Sequence, residues 1–205
     1  MGEKEAFMQA SRTKKSTETL VVTAILTAIV AVLSYFGGFI KIGGLASISL
    51  TLIPVVLGGA LLGPATGAWL GLVSGAIFFL TPDAAFWFNL SAFGTVLVVL
   101  LKGAMAGLLA ALVYRLLEGR NRYLAVLAAA VVCPVVNTGI FLLGCLVFFF
   151  DAVVAMADAA SSSVFSYLIV VFVGLNFIFE LALNLILSPA LLRIVEIGKK
   201  TFGRK

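Results

Sequence analysis

Four polar residues interrupt long apolar runs of this sequence, and they are the groups that could do chemistry. Lys102 is the only charged residue within residues 92–114. Asn137 lies in a second apolar run, and Asn176 and Glu180 lie four residues apart in a third. Because an ammonium group at the centre of a bilayer costs at least ~2.5 kcal/mol, Lys102 should face the protein interior or a wet cavity and have an anionic or carbonyl partner.

The spacing of these residues predicts a polar site at one depth. Asn176, Glu180 and Asn184 recur every four residues and therefore share one helix face. Lys102, Asn137 and Asn176 each lie roughly 15 to 20 Å from the external ends of their predicted helices, at about 1.5 Å per residue. One cation with several amide groups, which both donate and accept, suits a small anionic solute that carries hydroxyl or amide groups.

The same residues have plainer interpretations. Lys102 and Glu180 could form a buried ion pair without a ligand, and a neutral or cationic solute would then fit better than an anionic one. Asn137 and Asn176 could be interhelical hydrogen-bonding residues, worth about 0.6 kcal/mol each. Glu180 could also lie nearer the cytoplasmic side as an independent proton or packing site. Their coincidence in depth favours a ligand site.

The composition determines which elements must position these residues. Of the 205 residues, 62% are hydrophobic and 11% are charged, and the mean hydropathy is +1.21. A soluble domain would carry about 25% charged residues. The apolar runs lack the period-two alternation of a β-barrel, which favours helices. The sequence therefore predicts an all-α integral membrane protein in a lipid bilayer.

Six apolar segments are predicted to cross the membrane, which takes about 20 residues, or fewer where a segment is partly re-entrant. Their predicted bounds are about 19–36, 50–62, 64–80, 92–117, 123–150 and 164–195. The segments 39–49, 84–91 and 151–163 are predicted external loops. Residues 1–17 are predicted to be a disordered cytoplasmic tail, residues 18–195 a single transmembrane domain, and residues 196–205 a basic cytoplasmic tail.

The basic residues predict the orientation. Twelve of the fourteen fall into three groups: Lys4, Arg12, Lys14 and Lys15; Arg115, Arg120 and Arg122; and Arg193, Lys199, Lys200, Arg204 and Lys205. By the positive-inside rule these groups are cytoplasmic, so both termini are predicted to be cytoplasmic, in agreement with six spans. The net charge of +5 therefore reports topology and argues against a nucleic-acid partner.

Several kinds of chemistry lack the residues that they require. The chain has no histidine, which removes Ser-His and Cys-His nucleophile pairs and makes a zinc site improbable. It also has no Gly-x-x-x-x-Gly-Lys-Ser/Thr loop for ATP. Cys133 and Cys145 lie in apolar helices and are interpreted as packing residues. We therefore expect no enzyme activity, no cofactor and no metal.

Small residues repeat every four positions in three of the predicted helices. The glycines indicate close internal helix packing, at Gly63, Gly67, Gly71, Gly75, Gly103 and Gly107. Ala24 and Ala28 have the same spacing in predicted helix 1. That pair fits either internal packing or a docking face for another membrane subunit.

These features together resemble a known family, the S components of energy-coupling factor (ECF) transporters. The resemblance covers residues 18–195 and is carried by six helices in about 200 residues, the Ala24-x-x-x-Ala28 motif and residues 48–71. In that last stretch a proline in predicted helix 2 is followed by Leu-Gly-Pro-x-x-Gly. Residues 93–103 and 132–141 most resemble the pantothenate branch of the family.

The resemblance implies a role and its partners. An S component captures a vitamin from outside and associates with a transmembrane coupling subunit that is driven by two cytoplasmic ATPases. Ala24 and Ala28 would then dock on the coupling subunit. The loop that contains Lys41, Gly43 and Gly44 would be the gate. The chain would lie in the plasma membrane of a prokaryote.

The resemblance also implies how pantothenate would bind. Lys102 would pair with its carboxylate, Asn137 and Asn176 with its amide and hydroxyls, and Glu180 would accept from a hydroxyl. The other residues expected at the site are Trp87 and Asn89 in an external loop and Phe141 in predicted helix 5.

Other functions stay open from the sequence alone. The vitamin could instead be riboflavin, a thiamine precursor, pyridoxine or folate. A small self-sufficient carrier that works as a dimer is a different class, and it predicts transport without ATPases. A membrane enzyme or assembly factor is disfavoured by the missing histidine and metal-binding clusters.

Overall fold

A computed structural model of the chain describes residues 2–37 and 50–201; the side chains of residues 2–16, 172, 173, 175 and 176 lie outside this description. The described residues form nine α-helices and one π-helical segment. The helices are α1 (Gly2–Gly37), α2 (Leu52–Leu62), α3 (Pro64–Phe78), α4 (Pro82–Leu90), α5 (Ala92–Leu117), α6 (Arg122–Phe148), α7 (Phe150–Ala159), α8 (Val164–Tyr167) and α9 (Leu175–Thr201). The π-helical segment, Leu168–Gly174, joins α8 to α9.

The prediction of an all-α membrane protein is confirmed. No strand occurs in the described ranges. Four helical stretches are long and apolar enough to cross a membrane: Thr17–Gly37, Ala92–Leu117, Arg122–Phe148 and Phe177–Thr201. Two bent helix pairs raise the number of candidate spans to six if each pair counts as one span.

Two predicted external loops are largely helical. Residues 84–90 of the predicted loop 84–91 lie in α4, which is bent by 86° from α3. Pro82 at the start of α4 and Asp83 in its first turn are both helix-initiating features. The segment 151–163 contains most of α7, which is bent by 92° from the helix that follows it. Neither helix is long enough to span alone, which is why hydropathy did not reveal them.

The first and last helices also differ from the prediction. Residues 2–17, which belong to the segment predicted to be disordered, are helical because α1 begins at Gly2. This segment contains the helix-forming residues Glu, Lys, Ala, Met and Gln. The predicted last helix, 164–195, is interrupted by the π-helical segment and continues to Thr201.

The glycine repeats pack α3 against α5 at backbone contact, as predicted. A Cβ atom added at Gly71 would overlap the carbonyl oxygen of Gly103, and one at Gly75 would lie 2.8 Å from the carbonyl oxygen of Val99. A Cβ at Gly107 would likewise overlap the carbonyl oxygen of Gly67. Only glycine permits this approach, so α3 and α5 form one rigid pair.

Gly63 does not belong to this stripe. It ends α2 with a φ of 106°, a conformation that favours glycine, and no atom lies within 4 Å of an added Cβ. Its role is therefore the turn into Pro64, the first residue of α3. Cys133 and Cys145 are free and buried, which confirms their interpretation as packing residues.

The two ends of the helix bundle differ in chemistry. We call one the aromatic end, where Trp87, Cys145, Phe149, Val153 and Leu168 form a buried cluster. The other, the basic end, carries the turn between α5 and α6 and the last residues of α9. At this end Lys199 of α9 forms an ion pair with Glu118, which caps α5.

The contact between α3 and α5 predicts a strong position dependence for Gly→Ala substitutions. Gly71→Ala should lower the melting temperature of the detergent-purified protein by about 2 to 12 °C, because neither helix backbone can move aside. Gly139→Ala is the matched control, since Gly139 lies inside α6 with no atom within 4 Å of an added Cβ. This control should be neutral or stabilising. Equal losses in both variants would contradict the packing account.

Candidate substrate-binding site

Lys102 lies on α5 at the level of two aromatic rings. Its Nζ atom is 5.0 Å from the ring centroid of Phe141 on α6 and 5.9 Å from that of Phe78 on α3. A cation over an aromatic face gains about 0.5 to 2 kcal/mol, most when it is shielded from water. Lys102 therefore points at neighbouring helices rather than at lipid, as its sequence context predicted.

Trp87 extends this aromatic surface and is buried. Its ring centroid lies 5.3 Å from that of Phe141 and 5.2 Å from that of Phe149, with the rings edge to face. The hydroxyl of Thr95 on α5 donates a 2.7 Å hydrogen bond to the carbonyl of Trp87. This hydrogen bond attaches the end of α4 to α5. The rings of Trp87, Phe141 and Phe149 pack together, and Phe141 lies next to Lys102.

Glu180 provides the negative charge of the site. Its side chain is 5% exposed, and it interacts electrostatically with Lys102. Asn184 and Ser188, one and two turns further along α9, are 1% and 2% exposed. The predicted polar face of α9 is thus buried against the other helices.

The polar face of α6 lies between these two charges. Asn137, which is 8% exposed, shares a helix face with Phe141. Cys133 and Cys145 lie one turn beyond them on either side. Both thiols are buried, and Phe141 on this face lies against Lys102. The structure therefore places Phe141 of α6 against Lys102 of α5, with Asn137 one turn away on the same face of α6 and Glu180 buried on α9.

Other predicted site residues are placed differently or lie outside the described residues. Asn89 is exposed on α4, two residues from Trp87 and hence on another face of that helix. The side chain of Asn176 lies outside the described residues. The same holds for the three residues of the predicted gate, Lys41, Gly43 and Gly44.

The pair Ala24 and Ala28 lies on the outside of the bundle. Both residues are exposed on α1, whereas Leu26 and Val30 on the same helix are buried. Neither residue is therefore packed inside the part of the bundle that the structure describes. Next to them, Thr27 accepts a hydrogen bond of 3.1 Å from the indole nitrogen of Trp69.

Two residues of the site were not among those predicted from the sequence, Phe78 and Asn184. Phe78 carried no pattern of its own, because its position below Lys102 depends on the contact between α3 and α5. Asn184 was visible from its four-residue spacing on the polar face of α9. Among the described residues no three His, Cys, Asp or Glu side chains group together as metal ligands.

One known protein family matches most of the chain. A family model described as ECF transporter, substrate-specific component, matches residues 18–192. The chain belongs to this family. It is therefore a multi-pass plasma-membrane protein of a prokaryote and the substrate-binding subunit of a transporter rather than an enzyme. No curated protein and no solved structure matches the chain.

Membership of the ECF family also defines the general class of ligand and partner. Because the chain is an S component of this family, its substrate is of the vitamin type and its partner is an ECF coupling subunit. A buried site with one cation, one carboxylate, amide groups and aromatic rings has the composition of a small-molecule site.

Proposed function

We propose that this S component captures pantothenate and delivers it to a coupling subunit driven by two cytoplasmic ATPases. Pantothenate carries one carboxylate, one amide and two hydroxyl groups. The observation that carries the proposal is the position of Lys102, a cation near the middle of α5 that faces the rings of Phe78 and Phe141. A cation in this position is suited to an anionic solute.

Each polar group of pantothenate has a proposed partner. The ammonium group of Lys102 pairs with the carboxylate, and the amides of Asn137 and Asn176 bind the amide and hydroxyl groups. When the carboxylate arrives, Glu180 leaves Lys102 and accepts a hydrogen bond from a hydroxyl. The apolar carbons pack on Trp87 and Phe141, which form one edge-to-face pair.

The electrostatic interaction between Glu180 and Lys102 favours a second candidate ligand. If Lys102 and Glu180 stay paired with each other, the substrate is instead a neutral vitamin of the pyridoxine type. This solute would use its hydroxyl groups on Asn137 and Glu180 and its ring on Phe141. The two candidates differ in whether the ligand competes with Glu180.

The outer surface of α1 supports a docking role for Ala24 and Ala28. Both are exposed, and their small side chains leave room for the close approach of another helix. We assign the coupling subunit to this face. The loop with Lys41, Gly43 and Gly44, which is predicted to lie on the external side of the membrane, is proposed to gate the site.

Removal of the Lys102 charge tests the ligand assignment. Lys102→Ala should weaken pantothenate binding by about 30-fold or more, because the carboxylate loses its buried partner. Pantothenol, which has a hydroxyl in place of the carboxylate, should bind both proteins almost equally. Isothermal titration of the detergent-purified proteins measures both affinities.

Two controls accompany this measurement. Lys200→Ala removes an exposed lysine at the basic end and should leave the affinity unchanged. The double variant Lys102→Met/Glu180→Gln removes both charges of the site and guards against misfolding around an unpaired carboxylate. Unchanged pantothenate affinity in folded Lys102→Ala would contradict the pairing of Lys102 with the carboxylate. Binding of pyridoxine but not of pantothenate by the wild-type protein would favour the second candidate.

Substitution on α1 tests the docking face. Ala24→Leu should abolish co-purification with the coupling subunit, because the larger side chain prevents close helix approach. Vitamin binding by the isolated S component should not change. Ala24→Gly keeps the surface small and should retain the complex. Normal co-purification of Ala24→Leu would place the docking face elsewhere.

A further inference from the structure

Three hydroxyl groups meet where α1, α2 and α3 come together. The hydroxyl of Ser34 on α1 donates a 3.1 Å hydrogen bond to the hydroxyl of Ser74 on α3. The hydroxyl of Thr51, the residue before α2, lies 3.0 Å from the same oxygen of Ser74. We call these three residues the hydroxyl cluster. Thr51 is buried, whereas Ser34 and Ser74 are partly exposed, so the cluster lies inside the bundle without being fully covered.

The two serines of the cluster lie on the inward faces of their helices. Ser34 follows Val30 by one turn of α1, and Ser74 follows Leu70 by one turn of α3. The side chains of Val30 and Leu70 are both completely buried. The residues two positions before the serines are exposed on the outside of the bundle, namely Val32 and Leu72. The serine side chains therefore point to the interior of the bundle and away from lipid.

The hydroxyl cluster lies at the same depth as Lys102 and Asn137. A buried apolar cluster contains, among others, Val30, Leu52, Leu70, Ala106 and Cys133. On the side of the aromatic end, Lys102 lies one turn from Ala106 and Asn137 lies one turn from Cys133. The hydroxyl cluster adjoins the other three residues. Polar side chains from five parts of the chain therefore form one layer next to the apolar cluster.

Phe78 connects the hydroxyl cluster with Lys102. It follows Ser74 by one turn on the same face of α3, about 6 Å further along the helix axis. Its ring centroid lies 5.9 Å from the Nζ atom of Lys102. An elongated solute that packs on this ring can reach Lys102 with one end and the hydroxyl cluster with the other.

The hydroxyl cluster also has unused hydrogen-bonding capacity. Each hydroxyl group has one proton to donate and two lone pairs that accept. The two contacts of the cluster use two of its three protons. Within the described part of the chain, the third proton and several lone pairs have no partner. A hydroxyl group of a solute both donates and accepts, so it complements this cluster.

We infer that the hydroxyl cluster is a second polar subsite of the substrate site. It binds the hydroxyl-bearing end of an elongated solute whose anionic end lies at Lys102, and the position of that anionic end rests on the proposed function. For pantothenate the bound group is the terminal hydroxyl, at the opposite end of the molecule from the carboxylate. The subsite makes α1, α2 and α3 determinants of specificity in addition to α5, α6 and α9.

A pair of ligands tests whether the cluster contacts a solute hydroxyl. Ser74→Ala and Thr51→Val should each weaken pantothenate binding about fivefold or more, because one hydrogen bond to the ligand is lost. The pantothenate analogue with hydrogen in place of the terminal hydroxyl should bind both variants and the wild type almost equally. Isothermal titration of the detergent-purified proteins measures these affinities.

Two control variants separate binding from folding. Thr51→Ser keeps the hydroxyl and should retain the preference for pantothenate over the analogue. Thr201→Val removes a hydroxyl at the basic end that bonds within its own helix, and it should change neither affinity. A cluster that only joined α1, α2 and α3 would weaken both ligands equally when it is disrupted. Equal losses for pantothenate and the analogue would therefore overturn the inference.

Thiol labelling tests the position of the cluster without any ligand. In a Cys133→Ala/Cys145→Ala background in lipid nanodiscs, Ser74→Cys should react with a charged methanethiosulfonate, which attacks ionised thiols in water. The matched control Leu72→Cys lies on the outer face of α3 and should stay unmodified, because its thiol faces lipid. Pantothenate should slow the reaction of Ser74→Cys.

The labelling also separates the inference from the proposed function. If Ser74→Cys reacts no faster than Leu72→Cys, the cluster does not open on an aqueous site and the inference is overturned. If the wild type binds no pantothenate while Ser74→Cys reacts, the proposed ligand fails and the subsite is retained. Labelling that saturating pantothenate does not slow would show that the bound solute does not reach the cluster, and this would also overturn the inference.

Discussion

A charged lysine near the middle of a membrane-spanning helix is the constraint on which the rest of this structure depends. In a medium of low dielectric constant, the ammonium group of Lys102 has to be solvated by the protein. The aromatic faces of Phe78 on α3 and Phe141 on α6 lie within 6 Å of it, and the buried carboxylate of Glu180 on α9 adds a favourable electrostatic interaction. We propose that the same arrangement captures an anion, with a ligand carboxylate taking the place of Glu180 beside Lys102.

The packing of the bundle follows from the need to bring these groups together. Glycines at the interface of α3 and α5 let the two backbones touch, and this contact brings Phe78 under Lys102. At the basic end, Lys199 of α9 forms an ion pair with Glu118. Close helix contacts therefore hold the aromatic rings beside Lys102, and the π-helical segment Leu168–Gly174 leads into α9.

Much of this could be predicted from the sequence, because hydropathy and four-residue spacing are local properties. They identified the helices that carry Lys102, Asn137 and Glu180, and the glycine contacts. They could not identify α4, whose bend from α3 depends on the burial of Trp87 against α6. The rotation of α1 about its axis is also a tertiary property, so the exposure of Ala24 required the structure. The vitamin itself depends on side-chain geometry that helix periodicity does not encode.

The most direct test of the central claim is equilibrium binding by the detergent-purified chain without any partner subunit. The ligands are pantothenate, riboflavin, thiamine, its pyrimidine precursor, pyridoxine, biotin and folate. A substrate-capture subunit with Lys102 as its anion site should bind pantothenate saturably, one molecule per chain, and more tightly than the other six. Binding of a different vitamin would contradict the pantothenate assignment, and no saturable binding of any of them would contradict vitamin capture by the isolated chain.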